Sequence, residues 1–558
     1  MTNPHGSHGP EWWRTAVIYQ VYPRSFADGD GDGVGDLRGI TARLPAIAEL
    51  GVDAVWLSPF FRSPQRDAGY DVSDYCDVDP IFGTLEDFDH LLERAHSLGL
   101  RVIADMVPNH TSSDHPWFIE ALAAPPGSPE RERYMFHGGR GRDGHRPPNN
   151  WQSVFGGPAW ERVTEADGKP GQWYLHMFDV SQPDLNWENP WVRERFREIL
   201  RFWLDRGIDG FRVDVAHGLI KKPGLPDFPP HRTDAAEAHP REDPPYWAQP
   251  GVHDIWREWH ELVAEYPGDR VLCAEAWVEP LPKLALWVRP DEMHQAFNFD
   301  YMFTEWSAKG QRRIITDSIE AFGAVGAPST WVLSNHDVIR HATRLALGHD
   351  APPQGEGIGP ASKVKPDPVL GLRRARAATA LMLALPGSAY LYQGEELGLP
   401  EVIDIPDADR HDPTWFRTKG EKYGRDGCRV PIPWEAEAPA CGFSASGRSW
   451  LPQPADWGRL ARDRQEGVEG STLELYRTAL RLRKEHRLGE GDVEWLPEHE
   501  RSRSVVAFRN GRVTVVTNLG KRAVAVPEGR VLLATVGLGR RDDGARTLPS
   551  DATVWLEG

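Results

Sequence analysis

The chain has 558 residues, 40% hydrophobic and 26% charged, a globular composition with length for roughly three to four domain-sized units. Its 82 Asp and Glu outnumber 64 Lys and Arg, and the formal net charge of -18 argues against nucleic acid or an anionic membrane surface as partner. No apolar run is long enough to span a membrane, Met1–Trp13 lacks the basic and apolar regions of a secretion signal, and the four scattered cysteines (Cys76, Cys273, Cys428, Cys441) suit a reducing compartment, so the expected location is cytoplasmic.

Residues 1–13 read as a frayed arm rich in Gly, His and Pro. Val17–Val21, Ala54–Leu57 and Arg101–Met106 then read as buried strands, with helices Thr41–Leu50 and Leu85–Leu98 between them. The rhythm continues with helix Trp191–Arg206, strand Gly210–Asp214, helix Val252–Glu265 and strand Val271–Glu275. Ala296–Phe299, Thr330–Asn335 and Ser388–Tyr392 complete eight strands. Eight parallel strands alternating with helices predict an α/β fold, a (β/α)8 TIM barrel; a doubly wound sheet has no need of eight.

Two intervals are too long for one connection. Residues 108–178 read as a small domain B inserted after strand three, and Lys221–Gln249 as a surface loop over the barrel mouth. A third long loop, Gly394–Leu451, follows strand eight. Residues 1–107 and 179–487 would then form the barrel, the last helix opening on the capping box Ser471-Thr472-Leu473-Glu474. Residues 488–558 read as an antiparallel C-terminal β domain, with a hairpin of Val505–Phe508 and Val513–Val516 turning at Asn510-Gly511 and further strands at Ala523–Val526, Val531–Ala534 and Thr553–Leu556.

A TIM barrel carries its site at the C-terminal strand ends. Strand four ends at Asp214, strand five at Glu275, and strand seven runs on to Asn335-His336-Asp337. Strand three ends at Asp105 and continues to Asn109-His110. Alternation puts Arg212 on the same strand face as Asp214, and a cation there keeps a nucleophilic carboxylate ionised. Carboxylates from distant segments, with no phosphate loop and no Ser–His pairing, point to glycoside hydrolysis.

These segments carry a resemblance. Asp105–His110, Gly210–Asp214, Ala274–Trp277 and Ser334–Asp337 resemble, in order, the four short motifs of the α-amylase superfamily, glycoside hydrolase family 13. Gln182-Pro183-Asp184-Leu185-Asn186, Pro147–Trp151 and Phe155-Gly156-Gly157 resemble its oligo-1,6-glucosidase group. The resemblance implies the barrel, the insertion and a C-terminal β-sandwich. It implies Asp214 as nucleophile, Glu275 as acid and then base, and Asp337 as transition-state stabiliser. It further implies that Arg212 orients Asp214, that His110 and His336 donate to hydroxyls of the first glucose, and that Tyr70 and Phe178 stack on that ring beside Gln182. Asp67, in Asp67-Ala68-Gly69-Tyr70-Asp71, and Arg429, in Arg425–Pro431, would close the pocket behind that sugar, as in exo-acting members. Ile432-Pro433-Trp434 departs from the usual Met-Gln-Trp after it. His217 stays off the catalytic set, since a loop residue there serves equally as structure.

The resulting expectation is a retaining exo-acting α-glucosidase that takes glucose from small oligosaccharides of the maltose (α-1,4) type, with transglucosylation open to any glycosyl-enzyme. Cleavage of isomaltose-type α-1,6 bonds is the runner-up, because Val215 occurs beside the nucleophile in relatives with that preference. A catalytically dead, transporter-associated relative is the alternative from another class, and the three carboxylates speak against it. Asp28-Gly29-Asp30-Gly31-Asp32-Gly33-Val34-Gly35-Asp36 matches the first half of an EF-hand loop, with Gly39 in place of the closing Glu. Oxygens of Asp28, Asp30, Asp32, Val34 and Asp36 would hold a structural Ca²⁺; no organic cofactor is expected.

Overall fold

A computed structural model describes residues 11–228 and 244–558. Eight strands lie parallel: β1 (Val17–Val21), β2 (Ala54–Leu57), β3 (Arg101–Met106), β4 (Gly210–Val213), β5 (Val271–Ala274), β6 (Gln295–Ala296), β7 (Thr330–Val332) and β8 (Ser388–Tyr392). Their order is β6-β5-β4-β3-β2-β1-β8-β7, and a parallel bridge from Phe297 to Thr330 closes the ring. The expected (β/α)8 barrel is therefore present.

Four barrel strands stop short of their expected ends, β4 and β5 by one residue and β6 and β7 by three. β6 stops at Ala296, not Phe299, because the Asn298 side chain accepts the Tyr301 N–H and starts the helix Phe299–Phe303. β7 stops at Val332, not Asn335, because Ser334 and Asn335 turn their side-chain oxygens onto the N–H groups of His341 and Asp337.

Alternation along the strands sorts the core. Ile18, Trp56, Ile103, Cys273 and Tyr390 fill the barrel interior, while Tyr19, Val55, Leu57, Val102 and Ala104 pack outward with the helices. Trp13 joins the interior cluster, and its carbonyl accepts a 2.7 Å bond from the Gln295 amide. The frayed arm thus needs correction at its end: Trp13 is 6% exposed and plugs the N-terminal mouth. Residues 1–10 lie outside the described residues.

The outer helices are α1 (Leu37–Leu50), α2 (Leu85–Ser97), α3 (Pro190–Asp205), α4 (Val252–Ala264), α5 (Ala308–Gly323), α6 (Pro368–Leu383) and α7 (Thr472–Glu485), with shorter helices between them. α1 begins four residues before the expected Thr41, because Asp36 caps it by accepting the Gly39 N–H at 2.7 Å. The box opening α7 is only half formed. Ser471 accepts the Glu474 N–H, but Glu474 turns to the Gly467 N–H and to Arg477.

After β3 comes a three-stranded antiparallel sheet with Pro170–Leu175 between Phe136–His137 and Trp160–Thr164. Trp151, Trp160, Leu175 and Met177 form its own apolar cluster, which takes in Tyr246. The loop Lys221–Gln249 is therefore in part a wall; residues 229–243 of it lie outside the described residues. The C-terminal residues form two antiparallel sheets, of five and three strands. Val505, Ala507, Val516 and Val554 face one apolar cluster with Leu548 of the smaller sheet. Val506, Phe508, Val515 and Trp555 face the barrel, where the Trp555 indole donates to the Ala380 carbonyl of α6. The hairpin turns one residue later than expected: Asn510 pairs with Val513, so Gly511 and Arg512 make the turn, with Gly511 at φ +58°. Among the described residues no helix is long and apolar enough to cross a membrane.

Candidate active site

Three strand ends place the acidic groups. β4 can lie close to β5 because residue 210 is glycine: a Cβ there would stand 2.2 Å from the Val271 carbonyl oxygen. The two strands then run in register, Arg212 beside Cys273 and Val213 beside Ala274, and release Asp214 and Glu275 side by side. Asp337 arrives from the turn after β7.

Arg212, fully buried, is the centre of the charge arrangement. One terminal nitrogen, Nη1, donates to Asp105 Oδ1 at 2.8 Å and to Asp214 Oδ1 at 2.6 Å, and the other, Nη2, lies 3.1 Å from Glu275 Oε2. Burial pushes Asp105 up to about 7, with Arg212 opposing. Burial and then the charge of Glu275 push Asp214 well above the usual carboxylate range. One guanidinium facing three carboxylates in a buried site leaves negative charge in excess, and a proton retained within the cluster relieves it.

Asp337 has the opposite setting. Burial alone would raise it, but His336, Arg425 and Arg429 together hold it well below the usual carboxylate range. Burial keeps His336 itself neutral near pH 7, so the two guanidiniums, 3.0 and 2.9 Å from Asp337 Oδ1, carry the effect.

These groups open on a cavity of about 310 Å³. Of the expected site residues, Asp67, Tyr70, His110, Phe178, Asp214, Glu275 and Asp337 line it. Four do not: His336, Gln182 and Arg429 lie elsewhere than expected, whereas Arg212 contacts Asp214, the residue it is expected to orient. His336 is 0% exposed and stacks between Tyr22 and Tyr70, its Nε2 2.6 Å from the Tyr70 hydroxyl. Gln182 stands behind the wall and donates to Asp67 Oδ2 at 3.1 Å. Arg212 lies beneath the carboxylates. Arg429 donates to the His336 carbonyl and to Asp337, not to Asp67.

The arginine that meets Asp67 is Arg425, four residues earlier, at 2.8 Å; it also contacts Asp337 and Asp412. It lines the cavity and closes one end. The same late loop latches onto the inserted sheet's loops, where Arg417 bonds Asp179 and the Gly156 carbonyl. The late loop and the inserted sheet's loops thus share one wall of the cavity.

Aromatic walls complete it: Phe155, Phe178, Trp247 and Trp277 all face the cavity. Sequence reading left His217 aside, yet it lines the cavity, packs on Trp247 at 4.7 Å, and is held down to about 4 by burial, hence neutral near pH 7. Val215, directly after Asp214, has φ +47°, a strained place for a β-branched residue. That geometry aims its N–H at Glu275 Oε2, 3.0 Å away.

Away from the cup, carboxylate oxygens of Asp28, Asp30 and Asp36 lie within 4.8 Å of one another, a donor set that fits a hard cation. Asp32 stands outside this group and caps the Val34 N–H instead.

The model of the α-amylase catalytic domain matches residues 20–491. A protein named probable alpha-glucosidase, from Rhizobium meliloti, is 40% identical over 87% of this chain and 85% of its own length. Oligo-1,6-glucosidase from Parageobacillus thermoglucosidasius is 34% identical over 92% and 91%. The crystal structure of the alpha-glucosyl transfer enzyme XgtA, 38% identical, superposes with TM-score 0.82 over 98% of this chain and 99% of that one.

Proposed function

The chain belongs to the α-amylase catalytic-domain family and is a glycoside hydrolase, and on that premise we propose that it is a retaining, exo-acting α-glucosidase cleaving short maltose-type α-1,4 glucosides from the nonreducing end. The observation that carries this reading is the convergence of Asp214, Glu275 and Asp337 on a cup closed by Asp67 and Arg425.

Asp214 attacks C1 of the terminal glucose while Glu275 gives its proton to the glycosidic oxygen. The C1–O bond breaks, its electron pair goes to that oxygen, and a β-glucosyl ester forms on Asp214. Glu275, now a carboxylate, takes a proton from water, which attacks C1 and frees Asp214. Two inversions return α-glucose. The two carboxyl groups share one bridging guanidinium and so stand as neighbours at the cavity, as nucleophile and acid must. Asp337, held ionised by Arg425 and Arg429, grips sugar hydroxyls as positive charge builds on the ring. A sugar alcohol in place of water gives transglucosylation.

Incubation with maltose and with isomaltose, and NMR of the anomer released from p-nitrophenyl α-glucoside, test the reading. Maltose is expected to be the better disaccharide and α-glucose the initial product of the aryl glucoside; preference for isomaltose would favour the α-1,6 alternative, and initial β-glucose from the aryl glucoside would refute retention. Arg425→Ala should lower kcat/KM on maltose about a hundredfold, mostly through KM, since it strips the buried Asp67 of its cation. Unchanged KM would remove the closed-end role.

We assign the acidic loop a structural Ca²⁺ on Asp28, Asp30 and Asp36, with the Val34 carbonyl as a further oxygen. The loop is clasped by the late loop, with the Trp450 N–H on the Gly33 carbonyl and the Arg448 side chain on that of Gly31, so an ion would tie β1 to that loop. EDTA should lower the melting temperature by a few °C, restored by Ca²⁺, and Asp30→Ala should erase the difference. A chelator-insensitive melting temperature would refute the site. The four cysteines are free, which supports residence in a reducing compartment such as the cytoplasm.

A further inference from the structure

We infer that Trp277 is a positioning residue for the acid/base carboxyl, its indole N–H prepared for the charge that appears on Glu275 when the proton leaves. The inference rests on the reading of Glu275 as proton donor.

The two oxygens of Glu275 have different surroundings. Oε2 accepts the Val215 N–H at 3.0 Å and lies 3.1 Å from Arg212 Nη2. Oε1 accepts from the Trp277 indole Nε1–H, at 3.0 Å. A cation and a backbone donor on Oε2 disfavour a proton there, so the transferable proton sits on Oε1. While the carboxyl is neutral, the indole faces a hydroxyl oxygen, a weak acceptor. When the O–H bond breaks toward the glycosidic oxygen, its electron pair stays on Oε1 and the same N–H faces a carboxylate. Charge-assisted bonds are about twice as strong as neutral ones, so this contact strengthens along the reaction and lowers the barrier.

The donor is also rigid. Trp277 lies flat on Phe299, ring centroids 3.7 Å apart and planes 4° from parallel. Phe299 is itself anchored in the barrel-interior cluster, 5.9 Å from Phe297. Trp277 faces the cavity, so the donor sits where the leaving group must be protonated.

Trp277→Phe keeps a ring on Phe299 and deletes the donor together with part of the indole's bulk; the comparison of two substrates separates the two. The readout is kcat/KM on two substrates. Maltose departs as a sugar alkoxide and needs the proton; p-nitrophenyl α-glucoside departs as a stable phenolate and does not. Trp277→Phe should lower kcat/KM about tenfold on maltose and less than about twofold on the aryl glucoside. Phe299→Leu, which keeps the donor but loosens its support, should show a smaller loss with the same bias. Equal losses on both substrates in Trp277→Phe, or no loss on either, would overturn the inference. Wild-type protein that cleaves neither substrate would instead refute the α-glucosidase reading beneath it.

Discussion

Asp214→Asn should cut kcat/KM on maltose by on the order of 10⁴ or more while leaving the melting temperature unchanged or higher. The two halves of this expectation come from the same geometry. An amide cannot form the glucosyl ester, so the double displacement stops at its first step. For the fold, the aspartate is a burden: burial and the charge of Glu275 already push Asp214 well above the usual carboxylate range. The asparagine carbonyl still accepts from Arg212 and removes one negative charge from a site with three. Sites built for catalysis commonly hold such strain, and relieving it stabilises. Parallel rate and differential scanning measurements check both halves. Residual activity above about one part in a hundred would exclude Asp214 as nucleophile, and a fall of more than about 10 °C would mean that the loss reports unfolding rather than chemistry.

The catalytic strand ends were legible because a barrel strand carries its signal locally. Gly210–Asp214 is an apolar run that delivers two charges on one face, and only a strand end can use it. Asp214, Glu275 and Asp337 accordingly meet where the alternation of strands and helices puts them. What was not legible came from irregular segments and from depth. Arg425 precedes, and Arg429 ends, one single-turn helix, and which of them reaches Asp67 depends on how the long loop Gly394–Leu451 seats against Asp179 and Gly156. His336 stands beside Asp337 in sequence, yet ring stacking on Tyr22 and Tyr70 draws it behind the wall. Periodicity could not report Asp36 as a helix cap, since a carboxylate before a helix and a carboxylate in a metal loop look alike in a row of letters. Trp277 gave no signal beyond its place in a motif; its value lies in one hydrogen bond to its neighbour's side chain.

Arg212→Met should cost ~3–5 kcal/mol of stability at neutral pH, and the loss should shrink as the pH falls. Methionine replaces the guanidinium's apolar volume but leaves Asp105, Asp214 and Glu275, all buried, without their shared cation. The pH dependence follows from proton linkage. In the native protein Asp105 is already raised to about 7, by burial chiefly. Its unfolded value is ~3.9, so between these limits the folded chain binds more protons than the unfolded one. Stability from that excess proton is complete below the unfolded value and disappears as the pH rises through 7 or so. Removing Arg212 deletes the largest influence that opposes burial at Asp105, raises Asp105 and Asp214 further, and steepens the decline. Melting temperatures of the two proteins between about pH 5 and pH 8 should therefore diverge with rising pH, and Asp105→Asn added to Arg212→Met should narrow the gap, because the two side chains share one contact network. Melting curves that stay parallel across that range would mean that packing, not charge compensation, is what Arg212 supplies, and the account of how the cup tolerates three acids would have to be rebuilt.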